Sequence, residues 1–183
     1  MKNNIFLLRQ IVFVLFAMLS TSTVKAGCCT LTNVPINPMS PDRTDIYIGQ
    51  SNMVELQFRN DKVTGTVEVF PEPPLTINNR KSNTSCAIEG GVWARNGVFI
   101  SNDDSVVVVH EFSGSNDSLN FYNTQTCKKL NEIDISNSTW NIKESEISVA
   151  KQGNKQANKP TIYQLDAFCK PVKLITKPIN RKK

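Results

Sequence analysis

The fold is decided by Val106-Val107-Val108-Val109-His110-Glu111-Phe112-Ser113-Gly114-Ser115-Asn116-Asp117-Ser118-Leu119-Asn120-Phe121. Four consecutive valines are stiff at χ1 and suit a buried strand, where a branched side chain packs well on a pleated surface. Ser113 to Asp117 are small or polar and read as a loop. Leu119 and Phe121 then alternate with polar neighbours, which starts a second strand. Alternation through 106–112 puts His110 on the face of Val106 and Val108, with Glu111 opposite.

The same grammar extends both ways. Upstream, Asn102-Asp103-Asp104 breaks the chain, and Asn96-Gly97 between Val92-Trp93 and Val98-Phe99-Ile100 predicts a tight hairpin turn, because both residues tolerate positive φ. Earlier still, Val54, Leu56 and Phe58 alternate, as do Val63, Val67 and Val69. Downstream, Asn123-Thr124-Gln125-Thr126 closes a strand and Leu130, Ile133 and Ile135 begin another. Outside the first 26 residues no ten-residue segment has a 3.6-residue apolar period. The expectation is an all-β single domain of consecutive antiparallel strands. Residues 98–135 are patterned like one blade of a β-propeller. A closed propeller needs at least four blades of ~40 residues, so a partial propeller-like meander is the architecture expected. Residues 151–160, polar and turn-rich, read as an exposed loop, and Arg181-Lys182-Lys183 as a frayed tail.

With 183 residues and 39% hydrophobic content the chain is one domain long and able to bury a core. Lys2 and Arg9 flank a polar start, residues 11–19 are an apolar run, and Val24-Lys25-Ala26 presents small residues where a signal peptidase reads. The run is about half the ~20 residues of a spanning helix. Residues 1–26 are therefore read as a signal peptide and 27–183 as a single mature all-β domain. The rival reading is lipoprotein processing at Ala26-Gly27-Cys28, in which Lys25 occupies a position that favours a bulky apolar residue. The formal charge of +5 divides unevenly: residues 27–150 hold 9 basic and 15 acidic groups, whereas 151–183 hold 9 basic and 1 acidic. The basic C-terminal segment lacks the interleaved aromatics of a nucleic-acid stacking platform, so it reads as a solvated surface.

Five cysteines follow the leader. In an oxidising compartment four make two bridges and one is left over. Spacing leaves the connectivity open, with the adjacent Cys28 and Cys29 competing for one partner. The working assignment is Cys86 with Cys127 and Cys29 with Cys169. Lipidation of Cys28 would leave the other four to pair without remainder. A metal site is disfavoured, since there is no C-x-x-C and a single histidine.

Catalysis is poorly supplied. A hydrolase would need Ser113 or Ser115 as nucleophile and His110 as base, without the strained elbow of a G-x-S-x-G site. No phosphate loop or cofactor motif is present. An exported β domain displaying a loop of small residues is instead the format of a binding protein. Two binding readings arise: a protein inhibitor, or a carbohydrate- or peptidoglycan-binding module in which Trp93, Trp140 and Tyr122 share one exposed face.

Several clusters in fixed order carry a family resemblance: Phe70-Pro71-Glu72-Pro73-Pro74, Cys86-Ala87-Ile88-Glu89-Gly90-Gly91-Val92-Trp93, Gly97-Val98-Phe99-Ile100-Ser101, His110-Glu111-Phe112-Ser113-Gly114-Ser115, Thr126-Cys127-Lys128 and Asp134-Ile135-Ser136. With them, the sequence from about 70 to 140 resembles the periplasmic immunity proteins of type VI secretion peptidoglycan amidases. The resemblance implies a one-to-one complex with a cysteine amidase that cuts the peptidoglycan stem between D-glutamate and diaminopimelate. It implies that a loop, here Ser113-Gly114-Ser115, plugs the amidase cleft, with Ser115 hydrogen-bonding the catalytic histidine. No cofactor, metal or membrane span is implied. Two departures stand out: Asn116 follows the plug serine in place of a second serine, and residues 151–160 replace an additional cysteine pair.

Overall fold

The computed structural model describes residues 29–60, 67–71, 74–153 and 159–175. The leader, Cys28, Val63, residues 154–158 of the expected 151–160 loop and the 181–183 tail lie outside these residues. In chain order the strands are β1 (Leu31–Asn33), β2 (Asn37–Ser40), β3 (Arg43–Gln50), β4 (Val54–Arg59), β5 (Val69–Pro71), β6 (Leu75–Asn79), β7 (Thr84–Ile88) and β8 (Val92–Ser101). They continue as β9 (Val106–Ser113), β10 (Asn116–Asn123), β11 (Lys129–Asp134), β12 (Ser138–Lys143), β13 (Glu146–Lys151), β14 (Thr161–Leu165) and β15 (Pro171–Lys173). No helix occurs among the described residues. The fold is all-β and its pairings are antiparallel, as the alternation predicts.

The meander takes the form of three sheets. One runs β2-β3-β4-β6-β7, the second β1-β8-β9-β10-β11 with β5 also on β8, and the third β12-β13-β14-β15. The second sheet packs on both of the others, because its alternate side chains enter two different cores. Val107 and Val109 join Leu56, Phe58, Leu75 and Trp93 on one side, whereas Val106 and Val108 join Leu119, Phe121, Ile147 and Leu165 on the other. All four valines are buried. A strand covered on both faces has no solvent side to carry polar residues, which explains the uninterrupted valine run. In the first core Phe58 stacks on Phe70 at 4.8 Å between ring centroids and meets Trp93 edge-on at 6.4 Å, within the range where aromatic pairs are favourable.

Two disulfides staple the layers. Cys29–Cys169 joins the segment before β1 to the turn before β15, at the edge of the second core. Cys86–Cys127 joins β7 of the first sheet to the β10–β11 turn of the second.

Four local expectations need correction. Asn96-Gly97 makes no hairpin turn, because it lies inside the single long strand β8. There Ala94 to Gly97 stand opposite the lone residue His110, between the pairs Trp93↔Glu111 and Val98↔Val109. Neither residue has a positive φ, and what the bulge takes from Gly97 is its missing Cβ, which would collide with His110. The Ser113–Asp117 loop is shorter than its composition suggests, since β9 runs to Ser113 and β10 starts at Asn116, leaving Gly114-Ser115 as the turn. Leu130 is exposed, because it stands three residues from Ile133 and so faces the other side of β11, and the register slip between Phe121 and Tyr122 leaves it with no residue opposite on β10. Val69 is exposed and Phe70 is the buried residue of β5.

Candidate functional site: the tip of the β9–β10 hairpin

Strands β9 and β10 pair from Val106↔Asn123 to Ser113↔Asn116 and reverse over Gly114-Ser115. Gly114 has φ of +62°, whereas Ser115 is not in the positive-φ region. That combination is the type II′ hairpin pattern, whose twist matches the flanking strands and whose first central position favours glycine. Nothing lies within 4 Å of where a Gly114 side chain would begin. Ser113, Gly114, Ser115 and Asn116 are all exposed.

The tip extends beyond its neighbours. On one side β8 stops pairing at Val92↔Phe112. On the other, the last contacts are the Ser118↔Asp134 pair and the Ile135 N–H donating to the Asp117 carbonyl at 2.8 Å. Among the described residues, only those of the hairpin bond one another at 113–116, a projection of roughly 7 Å at ~3.4 Å per strand residue.

The root of this projection is braced on both faces. Toward the third sheet, His110 donates from Nε2 to the Asp117 carboxylate, while its ring lies 4.4 Å from Phe112 and 5.3 Å from Trp140 of β12. The Asp117 N–H donates to Ser136 Oγ at 2.9 Å. On the opposite face the Glu111 carboxylate accepts from Tyr122 Oη at 2.8 Å and from Asn120 Nδ2 at 2.5 Å. Burial first, then the bond to Glu111, raises the Tyr122 hydroxyl well above its ordinary value and keeps it a donor. His110 and Glu111 therefore lie on opposite faces, as the alternation predicts. The sequence reading gives Asp117 and Ser136 no bracing role and offers Tyr122 only as a sugar-stacking aromatic. Asp117 sits opposite Phe112 and so diagonally across from His110, a relation that appears only once the two-residue turn fixes the register.

Beside the tip, Asn116, Asp117, Ser118, Glu132, Asp134 and Ser136 line an open polar hollow of about 370 Å³. Lys129 pairs with Glu132 at 2.6 Å and Lys151 with Asp134 at 3.2 Å. The Ser136 side chain, the Ser136 N–H and Lys151 together hold the Asp134 carboxyl down to about 2.

The geometry also bears on two other sequence readings. Neither Ser113 nor Ser115 hydrogen-bonds His110, whose Nε2 is taken by Asp117. The nucleophile–base contact that a hydrolase needs is missing there. Trp93 and Tyr122 are buried in the first core and Trp140 packs against the second, so the three aromatics cannot form one exposed sugar-stacking face.

Comparison with known proteins bears on the whole chain. A family model described as Immune protein Tsi1 matches residues 29–175. The Immune protein Tsi1 of Pseudomonas aeruginosa is 35% identical over 161 residues, which span 86% of this chain and 88% of that protein.

Proposed function

Because the chain belongs to the Tsi1 immune protein family, we propose that it is a type VI secretion immunity protein that binds and inhibits a cysteine peptidoglycan amidase in the periplasm. It would do so as a one-to-one complex, after removal of residues 1–26, and without chemistry of its own. The hairpin tip Ser113-Gly114-Ser115-Asn116 is the part that enters the amidase cleft. The observation that carries this reading is the exposed two-residue turn extending past both neighbouring strands. A narrow projection reaches the floor of a cleft that a flat sheet edge does not.

Ser115 is the residue proposed to meet the catalytic histidine of the amidase. Its hydroxyl both donates and accepts, so it suits either imidazole tautomer. Asn116 offers a second donor and acceptor at the rim. The excess of acidic over basic groups in residues 27–150, 15 against 9, favours a basic partner surface, which would speed encounter at low salt. A complex of this kind buries roughly 1,600 Å² in total.

The test is a titration of peptidoglycan cleavage by the amidase with the mature protein. The reading predicts that one equivalent abolishes cleavage and that Ser115→Arg weakens inhibition at least tenfold. Undiminished cleavage at excess protein would remove that amidase as the partner, and a fully inhibitory Ser115→Arg would move the plug elsewhere.

A further inference from the structure

Building on the reading of the hairpin tip as a plug, we propose that His110, the only histidine of the chain, is a positioning residue that aims the tip. The β8–β9 ladder is interrupted just where the projecting segment begins. Four residues of β8 stand opposite His110, and beyond them only Trp93↔Glu111 and Val92↔Phe112 hold the tip segment to β8. A bulge bends and twists its strand, so the ladder by itself leaves the direction of the hairpin open.

His110 fills that gap and ties it to three separate elements. Gly97 of the bulge makes room for it, since a Cβ there would collide with the Cβ of His110. Its ring sets edge-on against Trp140, which belongs to β12 and so references the hairpin to the third sheet. Its Nε2 donates to Asp117, one residue from the exposed tip, and the backbone of Asp117 is bonded to Ile135 and Ser136 beyond the end of β11. On the other face, Glu111 keeps its bonds from Tyr122 and Asn120 without help from His110. Loss of the imidazole therefore frees the aim of the hairpin while leaving its base in place. The His110 side chain is 14% exposed, so it touches a partner only marginally and acts through Asp117 and Phe112.

The experiment is backbone ¹⁵N relaxation on the mature protein, comparing wild type with His110→Ala, His110→Gln and Gly97→Ala. In His110→Ala the order parameters of Gly114, Ser115 and Asn116 should fall from about 0.85 to below about 0.6, while those of Val106 to Val109 stay at wild-type values. His110→Gln, which still offers a side-chain N–H toward Asp117, should restore most of the order. Gly97→Ala, which displaces the ring without removing its donor, should loosen the tip in the same direction. Tip amides that keep wild-type order in His110→Ala overturn the proposal, as does loosening shared equally by the valine run. If His110→Ala fails to fold, Gly97→Ala decides by the same criterion. The amidase complex supplies an independent arm: His110→Ala should raise koff about tenfold. A tip that loosens in a protein whose wild type does not inhibit the amidase would leave the positioning role standing and remove the plug reading instead.

Discussion

Replacing both Cys29 and Cys169 with alanine should cost the fold about 5 kcal/mol. The two residues are 140 apart in sequence, and the Cys86–Cys127 bridge between them already closes 41 of those positions. The outer bridge thus constrains an effective loop of about 100 residues, for which the chain-entropy relation gives about 4.7 kcal/mol. Its place in the fold adds to the interest, since it joins the chain before β1 to the turn before β15 beside Leu31, Leu165 and Ile147. Replacing Cys29 alone is a poorer experiment, because Cys28 is the adjacent thiol and competes for Cys169. Urea unfolding of the oxidised mature protein, followed by tryptophan fluorescence, measures the loss. The m-value should rise as well, since an unfolded chain without the bridge exposes more surface. A loss under about 2 kcal/mol with unchanged m would refute the argument that the outer bridge stabilises by constraining the unfolded chain.

Three further outcomes are expected. Phe121→Ala removes a fully buried ring between the second and third sheets and should cost about 3–5 kcal/mol in urea unfolding. Tyr122→Phe deletes the donor to Glu111 and should lower stability by roughly 1–3 kcal/mol, because the carboxylate keeps only its bond from Asn120. On acidification, Asp134 is held down to about 2 against an ordinary 3.8. A depressed folded-state value means that its contribution is complete above pH 3.8 and is lost as pH falls through about 2. Asp103 acts in the same direction, since the bonds from Ser101 and Ser105 outweigh the opposing effect of its burial. The urea midpoint should therefore decline across that window, with a shallower decline in Asp134→Asn.

The fold class was legible because its signals are local. The valine run, the Leu119/Phe121 alternation and the polar breaks each specify a strand or its end without knowledge of the partner. That the valine run separates two cores was hidden, since one-dimensional pattern reports burial and not which sheet covers each face. Asn96-Gly97 misled for a related reason. The pair tolerates positive φ but does not adopt it here, and Gly97 is used instead for the close approach of His110, which depends on the strand beside it. The same logic divides the candidate site. Ser113-Gly114-Ser115 announces a hairpin tip by composition, whereas the bracing contacts join Asp117 and Tyr122 of β10 to His110 and Glu111 of β9 and to Ser136 beyond β11, which only the register brings together.

A tip at Ser113 to Asn116 that occupies the active-site cleft of a cysteine amidase would shield the catalytic cysteine from reagents in solution. The rate at which the catalytic cysteine of that amidase is alkylated by iodoacetamide tests it most directly. With one equivalent of the mature protein bound, alkylation should be slowed at least a hundredfold, and slowed far less when Ser115→Arg replaces wild type at the same concentration. A stable complex whose cysteine is alkylated at the rate of the free amidase would contradict it.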